Sequence, residues 1–415
     1  MRNHIPRPSS DYLSDNEIEA AAEPQLDYRQ ANDMAKESVR HVQDNVTGLP
    51  RLPGRRKLIG TSGLLGLGLG LSPLLATASN PFDPFPIHRA QVQVNGESFH
   101  IIDQGQGPAV LFCHGFPDTA ETWRSQMRAV TQAGYRAVAL DMRGYGESYA
   151  PKDPNLYTSL HIVGDLVGVL DALGIQSAVL VGHDWGADHA WRAMVMRPDR
   201  FRAMVSLSIP FMPRGDISHF DALRKQGLAD RSYYFEMMKP ETDARFADAA
   251  KSIPSVLYWL SASPPAGTRW NPNDPSLNML RPAPVAVPTW ADPDYVAHTI
   301  RSFQKTGFHG GLNYYRALQA TFDLTPAFKN AVVRQPTLYI YGGADGLTDT
   351  FHPTPPTSAE LRRVLPGLVD HIRFDDTGHW IQHEASDRLN GELLKFLAEV
   401  GSTGEPDVTS RGPVV

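Results

Sequence analysis

An aspartate stands where a sharply turning chain can present a nucleophile. The segment Val181-Gly-His-Asp-Trp-Gly186 has the form Gly-x-nucleophile-x-Gly, and it lies between an apolar run typical of a strand and a helical pattern over residues 187–196. Gly182 and Gly186 permit the strained turn that lifts the central side chain above a sheet. A carboxylate at that position, Asp184, can attack carbon and form an ester that water must then hydrolyse. Capping of the following helix is the alternative role, because aspartate favours helix N-termini.

Hydrolysis of an ester on Asp184 needs a general base and an acid that orients this base. His379 follows the last apolar run of the chain, and Asp345 follows the run before it. In a parallel sheet the loops at the carboxyl ends of the strands meet at one edge, so we expect both side chains near Asp184. The alternatives are a core histidine and a turn-forming aspartate, and Asp349 offers a second carboxylate that could replace Asp345.

The negative charge that develops during ester hydrolysis needs backbone N–H donors. One donor should come from the residue after the nucleophile, Trp185, and the other from the loop after the third strand, at Phe116. Phe116 belongs to His114-Gly-Phe-Pro117, where the glycine permits an unusual backbone and the proline stiffens the loop. We interpret His114 as a structural hydrogen-bonding residue rather than a catalytic one.

The elements that must hold these residues alternate between buried strands and amphipathic helices. Apolar runs predict strands at 91–94, 99–103, 109–113, 135–140, 177–181, 203–207, 337–341 and 369–374. Helical patterns lie between several of them, near 123–130, 160–170, 358–365 and 388–400. Strands that alternate with helices in this way predict an α/β fold with a doubly wound, mostly parallel sheet.

Between residues 213 and 318 this alternation stops. The stretch is rich in proline and aromatic residues, carries short helical patterns and contains no clear buried strand, so we interpret it as an inserted, mainly helical cap. The predicted organisation is a leader with an export signal at 1–80, the first part of the core at 81–212, the cap at 213–318, the second part of the core at 319–400 and a disordered tail at 401–415.

An export signal is predicted near the N-terminus. Arg55 and Arg56 precede an uncharged stretch, rich in glycine and leucine, that closes with Ala76-Thr-Ala78. Paired arginines, a weakly apolar segment and an A-x-A site in that order are typical of a twin-arginine signal. A transmembrane anchor is the alternative, since about 20 apolar residues can span a bilayer, but the repeated glycines and Pro73 disfavour it. We therefore expect a mature protein outside the cytoplasm, and translation from Met34 would shorten the leader.

Composition excludes one class of partner. The 415 residues carry 39 Lys and Arg against 45 Asp and Glu, a net charge of −6, whereas nucleic acid binding needs clustered cations. The single cysteine, Cys113, cannot form an intramolecular disulfide, and its apolar neighbours indicate a buried structural thiol. No clustered metal-ligand spacing is visible, and we expect neither a metal nor a cofactor.

Four motifs together resemble those of the α/β-hydrolase epoxide hydrolases of the soluble type. They are His114-Gly-Phe-Pro117, Asp141-Met-Arg-Gly-Tyr-Gly-Glu-Ser148, Gly182-His-Asp-Trp-Gly186 and Thr377-Gly-His-Trp380, and the resemblance covers about residues 85–400. It implies that an aspartate nucleophile opens an apolar epoxide and that water completes the reaction to a vicinal diol.

The resemblance also implies two cap tyrosines that hydrogen-bond the epoxide oxygen. Gly311-Leu-Asn-Tyr-Tyr-Arg316 matches the family's Asn-Trp-Tyr-Arg form and assigns one role to Tyr315. Alignment on Pro240 assigns the other role to Tyr233, although the intervening residues depart from the family's Phe-Gln-x-Pro form. Tyr234 therefore remains an alternative, and plain cap packing is the alternative to both assignments.

The nearest competing interpretation is a haloalkane dehalogenase, which also has an aspartate nucleophile followed by tryptophan. Such enzymes stabilise halide with an Asn or a second Trp side chain, whereas Phe116 offers no side-chain donor. A fluoroacetate dehalogenase would need arginines beside the nucleophile, where this chain has Trp185. A non-catalytic ligand-binding protein on the same fold is the third alternative, and the complete set of Asp184, Asp345 and His379 disfavours it.

Overall fold

Eight strands of the described chain form one sheet. In chain order they are β1 (His88–Val94), β2 (Glu97–Gln104), β3 (Ala109–Cys113), β4 (Arg136–Leu140), β5 (Ala178–His183), β6 (Phe201–Leu207), β7 (Thr337–Gly342) and β8 (Leu368–Phe374). Their order across the sheet is β1-β2-β4-β3-β5-β6-β7-β8. β2 pairs antiparallel with β1 and with β4, and the other pairings are parallel. The computed structural model describes residues 85–351 and 357–402, with the backbone alone at 349–351 and 402.

The central strands are buried on both faces. All residues of β3 and of β5 are buried, as expected where helices cover both sides of a parallel sheet. Alternate side chains of β3 enter different clusters: Leu111 and Cys113 join one buried cluster, and Val110 and Phe112 join the other. The predicted doubly wound, mostly parallel sheet is confirmed, and so is the predicted burial of Cys113.

Fourteen α-helices lie in the described ranges. They are α1 (Arg124–Gln132), α2 (Ser159–Ala172), α3 (Trp185–Met196), α4 (His219–Lys225), α5 (Tyr233–Met237), α6 (Thr242–Phe246), α7 (Ala249–Leu260), α8 (Pro293–Thr306), α9 (His309–Arg316), α10 (Leu318–Leu324), α11 (Gly346–Phe351), α12 (Ser358–Val364), α13 (Ile381–Glu384) and α14 (Ser386–Ser402). Within these ranges, no helix is both long and apolar enough to cross a bilayer.

Helices α4 to α10 form the insertion between β6 and β7. No strand lies in this insertion, and its two ends meet in an isolated parallel bridge between Arg214 and Lys329. The predicted helical cap is therefore present, because a stretch without buried strands has no place in the sheet. Several boundaries differ by a few residues from the sequence analysis: for example, α3 begins at Trp185, and α14 runs from Ser386 through Ser402.

Some predictions fall on residues outside the described ranges. The leader and export signal at 1–80 lie there entirely, as do residues 403–415 of the predicted tail. The side chain of Asp349 is also outside them, so that alternative to Asp345 stays a prediction.

Helix α9 packs its backbone directly on the loop after β4. A Cβ atom on Gly310 would lie 2.1 Å from the carbonyl oxygen of Gly144, so this position has no room for a side chain. Further along α9, the hydroxyl of Tyr314 donates to the carbonyl of Arg143 across 2.9 Å. Backbone contact at one point and a buried hydrogen bond at the next fix α9 against the core.

We predict that Gly310→Ala lowers the thermal unfolding midpoint. Overpacking at a tight contact typically costs about 1–3 kcal/mol, more than the ~1 kcal/mol by which alanine exceeds glycine in helix propensity. Gly391→Ala in α14 is the matched control, because a Cβ there would meet nothing within 4 Å, and it should leave the midpoint unchanged or raise it. Both midpoints are measured at one scan rate. Equal midpoints for the two variants would mean that the contact with Gly144 does not constrain α9.

Candidate active site

Asp184 occupies a strained turn between β5 and α3. Its φ is 51° and its ψ is −124°, a region that residues other than glycine rarely adopt. A Cβ on Gly186 would lie 2.1 Å from the carbonyl oxygen of Cys113, and one on Gly182 would lie 2.7 Å from the Cα of Ala187. The side chain makes no capping hydrogen bond to α3, so the capping alternative fails and the carboxylate is free to face the site.

Two backbone N–H groups face the carboxylate of Asp184. The N–H of Phe116 donates to Oδ1 across 2.8 Å, and the neighbouring backbone N–H of Trp185 helps to lower the pKa of the Asp184 carboxyl. Gly115 lets the loop come this close, because a Cβ there would lie 2.4 Å from the Cβ of Asp184. The structure therefore brings the two predicted oxyanion donors together at the predicted nucleophile.

His379 lies between the two predicted carboxylates. Its Nδ1 is 3.0 Å from Oδ2 of Asp345, and its Nε2 is 3.8 Å from Oδ2 of Asp184. Oδ1 of Asp345 accepts the N–H of Leu347 across 2.9 Å, so this aspartate shapes a turn and holds the histidine at once. The bond to Asp345 keeps the proton on Nδ1 and leaves Nε2 as the free base facing Asp184.

Burial and charge oppose each other in this group of three residues. Burial raises the pKa of Asp184, while the charge of His379 and the two N–H bonds work against that rise. For His379, burial favours the neutral ring, but the charge and hydrogen bond of Asp345 and the charge of Asp184 outweigh it and raise the pKa. A histidine with a raised pKa is a stronger base for a proton of water, provided that it is neutral at the working pH.

Three residues that the sequence analysis missed support the backbone of His379, two of them directly and the third through His183. Its carbonyl accepts Nε2–H of His183 at 2.9 Å and the hydroxyl of Ser208 at 3.2 Å. The amide of Gln382 donates to Nδ1 of His183 at 3.3 Å, and burial lowers the pKa of His183 well below its ordinary value, so this ring stays neutral. The position of His183 beside Asp184 was a usable signal, whereas Ser208 and Gln382 carry no local pattern.

Glu384 and the cap hold the same loop from other sides. The carboxylate of Glu384, in α13, accepts the N–H of Gly378 at 3.0 Å and that of Trp380 at 2.9 Å. The N–H of His379 itself donates to the carbonyl of Leu260, the last residue of α7, across 2.9 Å. The predicted base is thus bonded to both the core and the cap.

His114 supports the loop that carries Phe116. Its Nε2 accepts the N–H of Met142 at 3.0 Å, and its Nδ1 lies 2.9 Å from the carbonyl of Gly115. Both ring nitrogens are therefore used by the backbone, and the predicted structural role of His114 is confirmed.

Three cap tyrosines approach the nucleophile. The ring of Tyr315 packs edge-on against Trp185, with centroids 4.8 Å apart. The centroids of Tyr233 and Tyr234 lie 5.9 Å and 5.8 Å from that of Tyr315, and both residues line the cavity that contains Asp184. Burial raises the pKa of all three phenols, and the charge of Asp184 adds to the effect, so they remain protonated donors.

A cavity lies beside Asp184. Trp185, Ile209, Met212 and Leu318 provide apolar walls, and polar side chains of α3 and α4 complete the lining. Among the described residues, no group of three or more His, Cys, Asp or Glu side chains is placed to hold a metal ion. The cavity therefore suits a mainly apolar small molecule whose reacting carbon meets Asp184.

Comparison with known proteins agrees with this arrangement. Residues 108–386 match the family described as the alpha/beta hydrolase fold. An epoxide hydrolase of Caballeronia sordidicola is 53% identical over 309 residues, which cover 74% of this chain and 93% of the relative. Epoxide hydrolase A of Mycobacterium tuberculosis is 34% identical over 315 residues, which cover 74% of this chain and 96% of the relative.

Solved structures give the same result. An epoxide hydrolase of Vigna radiata has a TM-score of 0.66 at 34% identity, covering 75% of this chain and 98% of the other. An epoxide hydrolase from an endophytic Streptomyces has a TM-score of 0.70 at 30% identity, covering 76% of this chain and 96% of the other. The range matched by the family contains every residue of the site described above. This chain therefore belongs to the epoxide hydrolases of the α/β-hydrolase fold, hydrolases that act on ether bonds.

Proposed function

We propose that this epoxide hydrolase works in two steps, through a covalent ester on Asp184 that His379 then helps water to hydrolyse. The orientation of the Asp184 carboxylate carries this proposal. Oδ1 accepts the N–H of Phe116 at 2.8 Å, while Oδ2 faces Nε2 of His379 at 3.8 Å. On this basis Oδ2 is the attacking oxygen, and Oδ1 becomes the ester carbonyl oxygen, which the N–H of Phe116 already holds.

In the first step Oδ2 of Asp184 attacks one epoxide carbon, and the bond from that carbon to the ring oxygen breaks. The released oxygen carries negative charge and remains attached to the substrate. Tyr315 and Tyr233 donate hydrogen bonds to it, and one phenol gives it a proton. The raised pKa of these phenols supports this role, because they stay protonated until the alkoxide forms.

In the second step Nε2 of His379 takes a proton from water, and the hydroxide attacks Cγ of Asp184. The oxyanion that forms on Oδ1 is bound by the N–H groups of Phe116 and Trp185. Collapse expels the diol oxygen, which receives the proton from His379. The regenerated carboxylic acid of Asp184 then loses its proton, and the tyrosinate regains one, in both cases through water. The enzyme is back in its starting state, and epoxide and water have become a vicinal diol.

Replacing the base should trap the ester. We expect His379→Gln to be alkylated but not deacylated, so that intact-protein mass rises by one substrate mass under saturating epoxide. Asp184→Ala is the control and should show neither the mass increase nor turnover, because its methyl side chain cannot attack carbon. An unmodified mass for His379→Gln, together with binding shown independently, would contradict the two-step scheme.

Removing a phenol should slow ring opening selectively. Loss of one preorganised donor typically costs about 10²–10³ in rate, or roughly 3–4 kcal/mol. Tyr315→Phe and Tyr233→Phe should each slow alkylation of Asp184 on about that scale, leave ester hydrolysis much less affected, and nearly abolish alkylation when combined. Pre-steady-state kinetics separate the two steps.

Tyr234→Phe is the matched control for the tyrosine assignment, because the two rings are neighbours and both line the cavity. Its effect on alkylation should be smaller than that of Tyr233→Phe. A larger effect would transfer the role to Tyr234, and alkylation of Tyr315→Phe at the wild-type rate would remove Tyr315 from the reaction. Faster halide release than opening of any epoxide would favour the haloalkane dehalogenase alternative.

We also propose that the protein is exported by the twin-arginine route. Arg55, Arg56 and Ala76-Thr-Ala78 support this, since they occur in the order that such signals require. Changing both arginines to lysine should leave the protein unprocessed inside the cell, whereas the wild type should begin near Ser79 and lie outside the cytoplasm. N-terminal sequencing of fractionated cells measures both results. Wild-type protein intact from Met1 in the cytosol would overturn the export proposal and leave the enzymatic one untouched.

A further inference from the structure

One wall of the active-site cavity is polar. Asp188 and Arg192 lie one and two helical turns after Asp184 on α3, so their side chains follow the nucleophile along one face of the helix. His219, the first residue of α4, faces them from the cap, and all three residues line the cavity that contains Asp184. Ring opening and ester hydrolysis, as proposed above, use none of these side chains.

His219 brings an unsatisfied polar atom to this wall. Its Nε2 is buried and has no hydrogen-bond partner among the described residues, although its ring packs edge-on against Tyr234 with centroids 4.2 Å apart. A buried polar atom without a partner is unfavourable, and an apolar side chain would avoid that cost. Because His219 lines the cavity, a small rotation of its ring would bring this atom to a ligand there.

Arg192 and Asp188 are bonded to each other but not saturated. Nη2 of Arg192 donates to Oδ1 of Asp188 across 3.3 Å, and the two side chains are 22% and 17% exposed. This bond uses one of the five donor hydrogens of a guanidinium group and one oxygen of a carboxylate. Donors and acceptors therefore both remain for a bound molecule.

The wall carries no net charge. Burial opposes ionisation of Asp188, but the charge and hydrogen bond of Arg192, together with the neighbouring histidines, outweigh it and lower the pKa of the carboxyl. Burial lowers the pKa of His219, which keeps its ring neutral. Asp188 and Arg192 cancel, so an anionic group on a ligand would meet Asp188 and a cationic one would meet Arg192. A neutral group that both donates and accepts avoids either repulsion, and it also suits both tautomers of His219.

We propose that His219, Asp188 and Arg192 form a subsite for a hydroxyl group that the substrate carries away from its epoxide ring, so that hydroxyl-bearing epoxides are the preferred substrate class. The inference rests on the proposed reaction at Asp184. Asp188 follows Asp184 by one turn, about 6 Å along the helix, so a short carbon chain spans the distance from the ring to the hydroxyl.

Three epoxides that differ only at the far end test the subsite. They are 5,6-epoxyhexan-1-ol, its apolar isostere 1,2-epoxyheptane, and 6,7-epoxyheptanoic acid. The wild type should have the highest kcat/KM for diol formation with the alcohol. His219→Leu should lower kcat/KM for the alcohol about tenfold, the worth of one buried hydrogen bond, and should leave the isostere unchanged or improved. His219→Gln keeps a hydrogen-bonding group and should restore part of the preference.

His298→Leu is the matched control, because His298 is a half-buried cap histidine on α8 that does not line this cavity, and the preference for the alcohol should persist in it. Equal kcat/KM for alcohol and isostere in the wild type, equal losses for both in His219→Leu, or a preference for the acid would each overturn the hydroxyl subsite.

A binding measurement separates this inference from the reaction mechanism. In an Asp184→Ala background, which cannot react, calorimetry with 5,6-epoxyhexan-1-ol should show weaker binding when His219→Leu is added. Weaker binding by that variant supports the subsite even if the wild type turns over no epoxide. A wild type without turnover would count only against the proposed reaction at Asp184. Unchanged binding overturns the subsite whatever the turnover.

Discussion

The backbone conformation of Asp184 is the constraint on which the rest of the site depends. A residue with a side chain at φ 51° costs about 1–3 kcal/mol, and such a conformation persists only where the surrounding packing determines it. Here Gly182 and Gly186 let α3 start directly against the ends of β3 and β5, and Gly115 lets the neighbouring loop close on the carboxylate. The three close contacts that enforce this strained conformation also place the backbone N–H groups that serve as oxyanion donors. The strain at Asp184 and the position of its donors therefore have the same structural cause.

Burial alone does not decide what a carboxylate does in this protein. Asp184 and Asp141 are both buried, yet the pKa of Asp184 is raised while that of Asp141 falls to about 2, because the bond and charge of His100 and further partners outweigh its burial. Asp118 behaves differently again, since burial raises its pKa to about 7 despite bonds to Thr119 and Tyr295. The number and charge of the partners thus decide how readily a buried carboxyl ionises.

Much of this arrangement could be predicted from the sequence, because the chemistry follows the topology. The apolar runs predicted the strands, and the carboxyl ends of parallel strands necessarily bring Asp184, Asp345 and His379 to one edge. The residues that hold the loop of His379, such as Ser208 and Glu384, could not be predicted in the same way. Their partners lie far away along the chain or are backbone groups, and a single polar residue in a loop or a short helix leaves no periodic signal. The polar wall of the cavity could not be predicted for a related reason, because His219 reaches it only after the cap has folded over α3.

The hydrogen bond from His379 to Leu260 links the catalytic base to the cap. The loop of His379 also approaches the cap closely at Gly378, because a Cβ there would lie 2.4 Å from the carbonyl carbon of Ser261. A shift of the end of α7 would therefore also move the backbone of the base. The position of the catalytic base thus depends on the cap as well as on the core.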